Sequence, residues 1–286
     1  MSVISIIIPH HNTPTLLQRC LDSIPADKGI QVIVVDDNSD PTKVDFEKFP
    51  GKVRPDVEIF LTKEGRGAGY ARNVGLQHAK GDWLLFADSD DYFVQGFYDV
   101  IRKYIDNDTD MVLFKAKSVI SDTLEPSNRN ENINTRIDEA LEGKIDEKHA
   151  SIAVQSPWCR LIRRQFVEDN KIRFEEVIAC NDTMFTTKCT CLANSIQLSP
   201  DYIYVITYRQ GSLWDDRKKN PNNLLARIQV QIRRNKYVKQ YGFDQLPILG
   251  YVVKSVRMGF PTFMKALCLS IKEGAVFHGV FNYFKR

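Results

Sequence analysis

Apolar residues run along the chain in two alternating rhythms. Residues 3–8 (VISIII) form a continuous β-branched run, the pattern of a strand buried on both faces in a parallel sheet. Thr13 and Pro14 then give a capping hydroxyl followed by proline at a first helical position, and Leu16, Leu17, Cys20, Leu21 and Ile24 recur at helical spacing. The alternation repeats. Strands are expected over 31–35, 57–61, 83–87, 111–116 and 203–208, and helices over 69–79, around 97–105 and over 183–191. Such an order implies right-handed crossovers and an α/β fold: a mixed, mostly parallel, Rossmann-like sheet flanked by helices.

In such sheets ligands bind beyond the carboxyl ends of the strands. Three of these ends carry polar, chemically active residues: Pro9-His10-His11-Asn12, Asp36-Asp37-Asn38-Ser39 and Asp88-Ser89-Asp90-Asp91. One acidic turn is often a helix cap, whereas three polar turns on one rim point to a nucleotide or metal site. Residues 121–148 are polar and rich in Asn, Asp and Glu, and read as a surface insertion, partly helical around 137–141. After Asp215 the pattern changes. Leu224, Leu225, Ile228, Ile232 and Val238 suit an amphipathic helix, and Pro247 and Pro261 break the remainder into short helices. The chain therefore divides into a sheet-based domain, 1–212, and a helical C-terminal extension, 213–286.

With 286 residues, 43% hydrophobic and 26% charged, the chain can bury a large core without disulfides. No apolar run reaches the roughly 18–20 residues of a membrane-spanning helix, and the start reads as a strand rather than a signal peptide. The six cysteines contain no CxxC pair, so buried free thiols in a reducing cytosol are expected, not a zinc site. The net charge of +3 hides an asymmetry. Residues 213–286 hold 14 Lys and Arg against 4 Asp and Glu, a balance of +10, and the preceding 212 residues hold 25 against 32, a balance of −7. A basic, partly apolar extension is expected to meet something anionic, such as a membrane surface.

Asp88 and Asp90 set two carboxylates two residues apart at a strand end, an oxygen-rich pair suited to Mg²⁺ or Mn²⁺ and substrate phosphates. Gly65-x-Gly67-x-Gly69 misses the dinucleotide fingerprint and the GKS or GKT of a P-loop. No HExxH or GxSxG is present either, so dehydrogenase, zinc-protease and serine-hydrolase readings fall away.

Taken in order, VISIIIPHHN, VIVVDDNSD, GAGYARNVGLQHAKGDWLLFADSDD, SPWCRLIRR, CNDTMF and YRQGS resemble the family 2 glycosyltransferases, which have the A-type nucleotide-diphospho-sugar transferase fold. The resemblance covers about residues 2–212. It implies an inverting, metal-dependent transfer of a sugar from a nucleoside diphosphate, UDP being expected, to an acceptor hydroxyl in cell-surface polysaccharide or glycolipid assembly. Pro9, His11 and Asn12 would hold the nucleoside, with Asp37 reaching the base. Arg72, Asn73 and Asp88 would line the donor site, with Arg209 and Ser212 near the diphosphate. Asp90, with Asp88, would ligate the divalent metal, Mn²⁺ or Mg²⁺. Asp182 would be the general base, with a second role as N-cap of its helix. Trp158, Arg160 and Asn181 would shape the acceptor or sugar pocket. Asn181 stands where the family has Glu, which removes a charge beside the base. The acceptor would be a saccharide or a lipid-linked saccharide, the location cytoplasmic, peripheral at the inner face of the membrane, and no nucleic acid is involved. The alternatives are a nucleotidyltransferase on a related sheet and a nucleotide-sugar-binding protein without turnover, which Asn181 favours.

Overall fold

The structure is a computed structural model and describes residues 3–209 and 220–276. One eight-stranded sheet organises it, in the spatial order β3-β2-β1-β4-β7-β6-β8-β5. Strands β1 (Ile4–His10), β2 (Ile30–Asp37), β3 (Val57–Thr62) and β4 (Trp83–Phe86) run parallel. Side chains alternate between the two faces. Ile4, Ile6 and Ile8 meet Leu17, Cys20 and Leu21 of α1 (Pro14–Asp22), whereas Ile7 meets Ala71 and Leu76 of α2 (Ala68–His78). Both faces are covered, which explains the unbroken apolar run.

The far half of the sheet is mixed. After β5 (Tyr92–Phe93) and α3 (Phe97–Arg102), strand β6 (Met111–Ile120) pairs parallel to β8 (Ile196–Tyr208). Strand β7 (Arg160–Arg163) joins β4 to β6 antiparallel. The apolar pattern does not reveal it, because two arginines flank its only apolar pair, Leu161 and Ile162. The polar insertion is not simply surface. It forms α4 (Glu131–Leu141) and α5 (Glu147–Ala153), with Ile133 and Ile137 buried against the sheet. Thr13 stands at the N-cap of α1 but makes no capping side-chain bond; its amide donates instead to His10 Nε2 (3.1 Å). Cys20, Cys159, Cys189 and Cys191 are buried free thiols as expected, but Cys180 is half-buried and Cys268 exposed.

Helices α6 (Arg164–Asp169) and α7 (Thr183–Leu192) follow β7. The boundary expected at 212, with Ser212, lies outside the described residues. Beyond it, α8 (Pro221–Lys239) opens on an Asn220 side chain that caps Asn222 and Asn223. It does not hang free: Arg233 makes a bidentate pair with Glu175 (2.8 and 2.8 Å), and buried Arg234 donates to Ile152 O. Helices α9 (Leu249–Ser255) and α10 (Phe260–Lys272) close a small core with it from Leu224, Ile228, Ile232, Ile248, Val252 and Ala266. Leu224, Ile228 and Ile232, expected to face a membrane, are therefore spent inside the protein. Phe260, Val253, Val256 and Ile271 remain exposed. Among the described residues no helix is long and apolar enough to cross a membrane.

Candidate active site

The three polar strand ends converge on one cleft of about 590 Å³. It is lined by Pro9, His10, His11, Asp37, Asp88, Ser89, Asp90 and Asp91, joined by Gly65, Gly67, Ala68, 178–182, Arg72, Arg129, Arg209, Asn223 and Arg227.

At the nucleoside end, His10 is buried and its two ring nitrogens are both used. Nδ1 faces Asp36 Oδ1 (2.7 Å) and Nε2 accepts the Thr13 amide, which fixes the neutral tautomer with its proton on Nδ1. Burial works to raise the Asp36 carboxyl, but bonds from His10 and Ser39 outweigh it and hold the group below its ordinary range. This pair fixes the loop and leaves His11 exposed at the rim, its Nδ1 against Asp37 O (2.9 Å). Asp37 accepts amide hydrogens from Arg66 and Gly67. Gly67 sits at φ 89, a conformation L side chains rarely adopt. Asn12 does not line the cleft. At φ 58 it ties loops together, accepting from the Asp40 amide (2.7 Å) and meeting His11 Nε2 (2.7 Å).

The acidic turn is over-determined by its surroundings. The Asp88 amide donates to Tyr204 Oη (2.8 Å), and the Asp90 carbonyl accepts from Arg19 (2.7 Å) and from Thr207 Oγ1 (2.8 Å). Asp91 accepts the Thr207 amide (2.6 Å). One carboxylate oxygen from each of Asp88, Asp90 and Asp91 lies within 4.8 Å of the others. Burial first, then neighbouring carboxylates, raises Asp90, and raises Asp91 well above the usual range. Asp91 is engaged by Thr207 and Asp88 by Arg72, so Asp90 is the freest ligand. An all-oxygen set under like-charge pressure fits a hard divalent cation.

Arg72 links this turn to the opposite wall. Its guanidinium donates to Asp88 Oδ1 (2.5 Å) and Asn181 Oδ1 (2.8 Å), and lies over the Phe174 ring. Gly69, one turn earlier on α2, permits the approach: a Cβ there would stand 2.2 Å from Glu175 O and 3.0 Å from Asn181 Cβ. Cys180, at φ 57, turns the chain into Asn181 and Asp182, a conformation costly for a residue with a side chain. Asp182 occupies the N-cap of α7, yet its carboxylate makes no capping bond; the expected second role is not taken up. Burial raises its carboxyl, Arg72 and Arg227 lower it, and Asp88 raises it further, for a net rise.

Three residues assigned to the pocket from the sequence lie elsewhere. Arg160 is wholly buried and donates to the carbonyls of Ser151, Val154 and Ser156; burial lowers it to about 10. Trp158 stacks on Tyr204 (centroids 5.6 Å apart) and so backs the hydroxyl that holds Asp88. Asn73 clamps the Phe174 backbone, donating to its carbonyl (3.0 Å) and accepting from its amide (2.9 Å). Sequence reasoning missed Arg129, Asn223 and Arg227. Neither the polar insertion nor the C-terminal helix carries a local motif that marks them.

Residues 5–170 match the model of glycosyl transferase family 2. The chain is 31% identical over 218 residues to a poly(ribitol-phosphate) β-glucosyltransferase of Bacillus spizizenii, covering 73% of this chain and 33% of that protein. The chain belongs to glycosyl transferase family 2. It is also 31% identical over 225 residues to the poly(ribitol-phosphate) β-N-acetylglucosaminyltransferase TarS of Staphylococcus aureus, covering 74% of this chain and 36% of TarS. The chain thus spans about a third of the length of these family 2 relatives. Its fold is like that of S. aureus TarS 1–349 in complex with UDP-GlcNAc (TM-score 0.61, 23% identity, 93% of this chain and 69% of that one). It is also like a mannosyltransferase of Pyrobaculum calidifontis in complex with GDP-Man and Mn²⁺ (TM-score 0.58, 17% identity, 94% and 75%).

Proposed function

We propose that this family 2 member is an inverting, metal-dependent glycosyltransferase. It moves a hexosyl or N-acetylhexosaminyl group from UDP to an acceptor hydroxyl. The observation that carries the reading is one cleft holding both an uncapped carboxylate, Asp182, and the Asp88/Asp90/Asp91 cluster, with Arg72 between them. His11 stacks on the uracil, and Pro9 and Asp37 border the nucleoside. Asp90, with Asp88, holds Mn²⁺ or Mg²⁺. When bound, that cation stabilises the charge growing on the leaving diphosphate. Arg209, whose charge acts on Asp90, and Arg129 add fixed positive charge there. Asp182 accepts the proton of the attacking hydroxyl on the opposite face of the sugar. A single displacement inverts the anomeric centre and needs no second carboxylate nucleophile.

Support for the donor and setting comes from the relatives: TarS was solved with UDP-GlcNAc, and two curated relatives are named for poly(ribitol-phosphate). The acceptor is accordingly a cell-surface saccharide or polymer, free or lipid-linked, met in the cytoplasm. Peripheral contact with the inner membrane face runs through the exposed Val253, Val256, Phe260 and Ile271, beside Lys254, Arg257, Lys265 and Lys272.

The test is UDP-GlcNAc turnover with Mn²⁺, following both UDP and pyrophosphate. UDP release that stops in EDTA and falls at least about 100-fold in Asp182→Asn, with UDP affinity kept within twofold, is expected for a general base. Pyrophosphate release would instead mean nucleotidyl transfer. UDP binding with no turnover would mean a binding protein, and an Asp182→Asn rate within threefold of wild type removes Asp182 as base.

A further inference from the structure

Helix α8 reaches the cleft with two side chains, Asn223 and Arg227, spaced i and i+4 and hence on one face. Asn223 is 8% exposed, and among the described residues its side-chain amide has no hydrogen-bond partner. Arg227 Nε is buried and likewise unpartnered, as are Arg72 Nε and Arg209 Nε in the same cleft. The other arginines of the cleft all act on the acidic turn. Arg72 holds Asp88 and Asn181, Arg129 donates to the Thr207 carbonyl, and Arg209 acts on Asp90. Arg227, with Arg72, acts on Asp182, where the acceptor hydroxyl must stand.

We propose that Arg227 and Asn223 form an acceptor subsite that selects a phosphate ester or phosphodiester next to the attacking hydroxyl. A neutral sugar hydroxyl needs no guanidinium. A half-buried arginine with open donors gains most from an acceptor-only anion, to which it makes charge-assisted bonds. The neighbouring wall is suited to the same guest. Residue 181 is a neutral Asn whose oxygen is turned to Arg72, so the position next to Asp182 in the chain adds no further carboxylate to repel an incoming phosphate. The charged groups that bear on Asp182 are then Arg72 from α2, Asp88 from the end of β4 and Arg227 from α8. Of these only Arg227 is free to take a ligand. The subsite rests on the glycosyltransferase reading, since it presupposes Asp182 as the acceptor-side base.

The experiment titrates glycerol 3-phosphate, and glycerol as the neutral control, into the full chain saturated with UDP and Mn²⁺, followed by NMR. Wild type is expected to bind glycerol 3-phosphate at least tenfold more tightly than glycerol, with an affinity that falls as salt rises. Arg227→Gln is expected to erase that preference while UDP affinity stays within twofold, and Arg227→Lys to recover part of it. Asn181→Glu is expected to weaken glycerol 3-phosphate at least threefold. Equal binding of the two probes by wild type, or an unchanged preference in Arg227→Gln, overturns the subsite. Loss of UDP affinity in Arg227→Gln and Arg227→Lys together moves Arg227 to the donor site and overturns it too. Wild type that fails to bind UDP at all refutes the glycosyltransferase reading itself, a result separable from the others by the UDP titration alone.

Discussion

Replacing Arg72 with Met tests the link between the acidic turn and the base. Met keeps the apolar stem against Phe174 but removes the charge and both donors. The Arg72 side chain is 5% exposed, so little water is at hand to replace the lost bonds. A hydrogen bond to a charged group contributes about 1.5–3 kcal/mol. The Asp88 side chain is 34% exposed, so its half of the link is worth the low end of that range after solvent screening. Asn181 loses a charge-assisted donor as well, while the desolvation cost of the guanidinium disappears. The balance is about 2–4 kcal/mol of lost stability, or about 1 M in the urea midpoint. A second readout separates chemistry from folding. As the proposed base, Asp182 works only when ionised, so UDP-sugar turnover is expected to rise with pH along an acid limb set above the ordinary carboxylate range, because burial raises this group. Arg72 lowers it. Without Arg72 the limb moves to higher pH, and with Lys at 72 the charge persists and the limb stays nearer wild type. A Met variant within 0.5 kcal/mol of wild type, with an unmoved limb, would refute the linkage.

Two further outcomes come from packing. Gly69→Ala places a methyl against the Glu175 carbonyl and is expected to cost about 1–3 kcal/mol in thermal unfolding. Gly250→Ala, in open space on α9, is the control and should leave stability equal or higher. Co-sedimentation with anionic vesicles at low salt is expected to carry the protein down through α9 and α10, and Phe260→Ser with Lys265→Glu to leave it in the supernatant; wild type that stays in solution refutes the membrane contact.

The near half of the fold is legible in the sequence because local physics decides it. A run such as residues 4–8, all buried, admits little but a doubly covered strand, and polar residues directly after such a strand must emerge at its carboxyl end. Pro9, His11, Asp37, Asp88 and Asp90 therefore fall on one rim by sequence reasoning alone, and the cleft brings them together. Asn73, Trp158 and Arg160 were assigned by likeness of motif. A motif preserves a residue without saying whether it touches the ligand or holds a neighbour that does. Trp158 backs Tyr204, Asn73 clamps Phe174 and Arg160 ties three carbonyls. Each acts behind the cleft. Arg129 and Arg227 have the opposite problem. They arrive through tertiary packing of α8 and the insertion, and nothing within several residues of either marks it.

The same contrast explains the charge asymmetry. Read as a sequence, the basic extension looks like a detachable tail. In the fold its first helix is bound to the sheet-based domain by Arg233 on Glu175 and Arg234 on Ile152. Part of its positive charge is thus paired within the chain, Arg233 with Glu175 at the surface and Arg234 with a buried carbonyl. Arg234 is buried deeply enough to be lowered to about 10, so it remains a cation at neutral pH while facing a backbone carbonyl rather than solvent. Arg227 is placed by that same docking: a helix fixed at 233 and 234 has no freedom to withdraw 227, two turns earlier, from the cleft. The positive charge acting on Asp182 is therefore a consequence of how the extension packs, and removing Arg233 from Glu175 is expected to loosen the proposed acceptor wall while leaving the proposed donor half of the site in place.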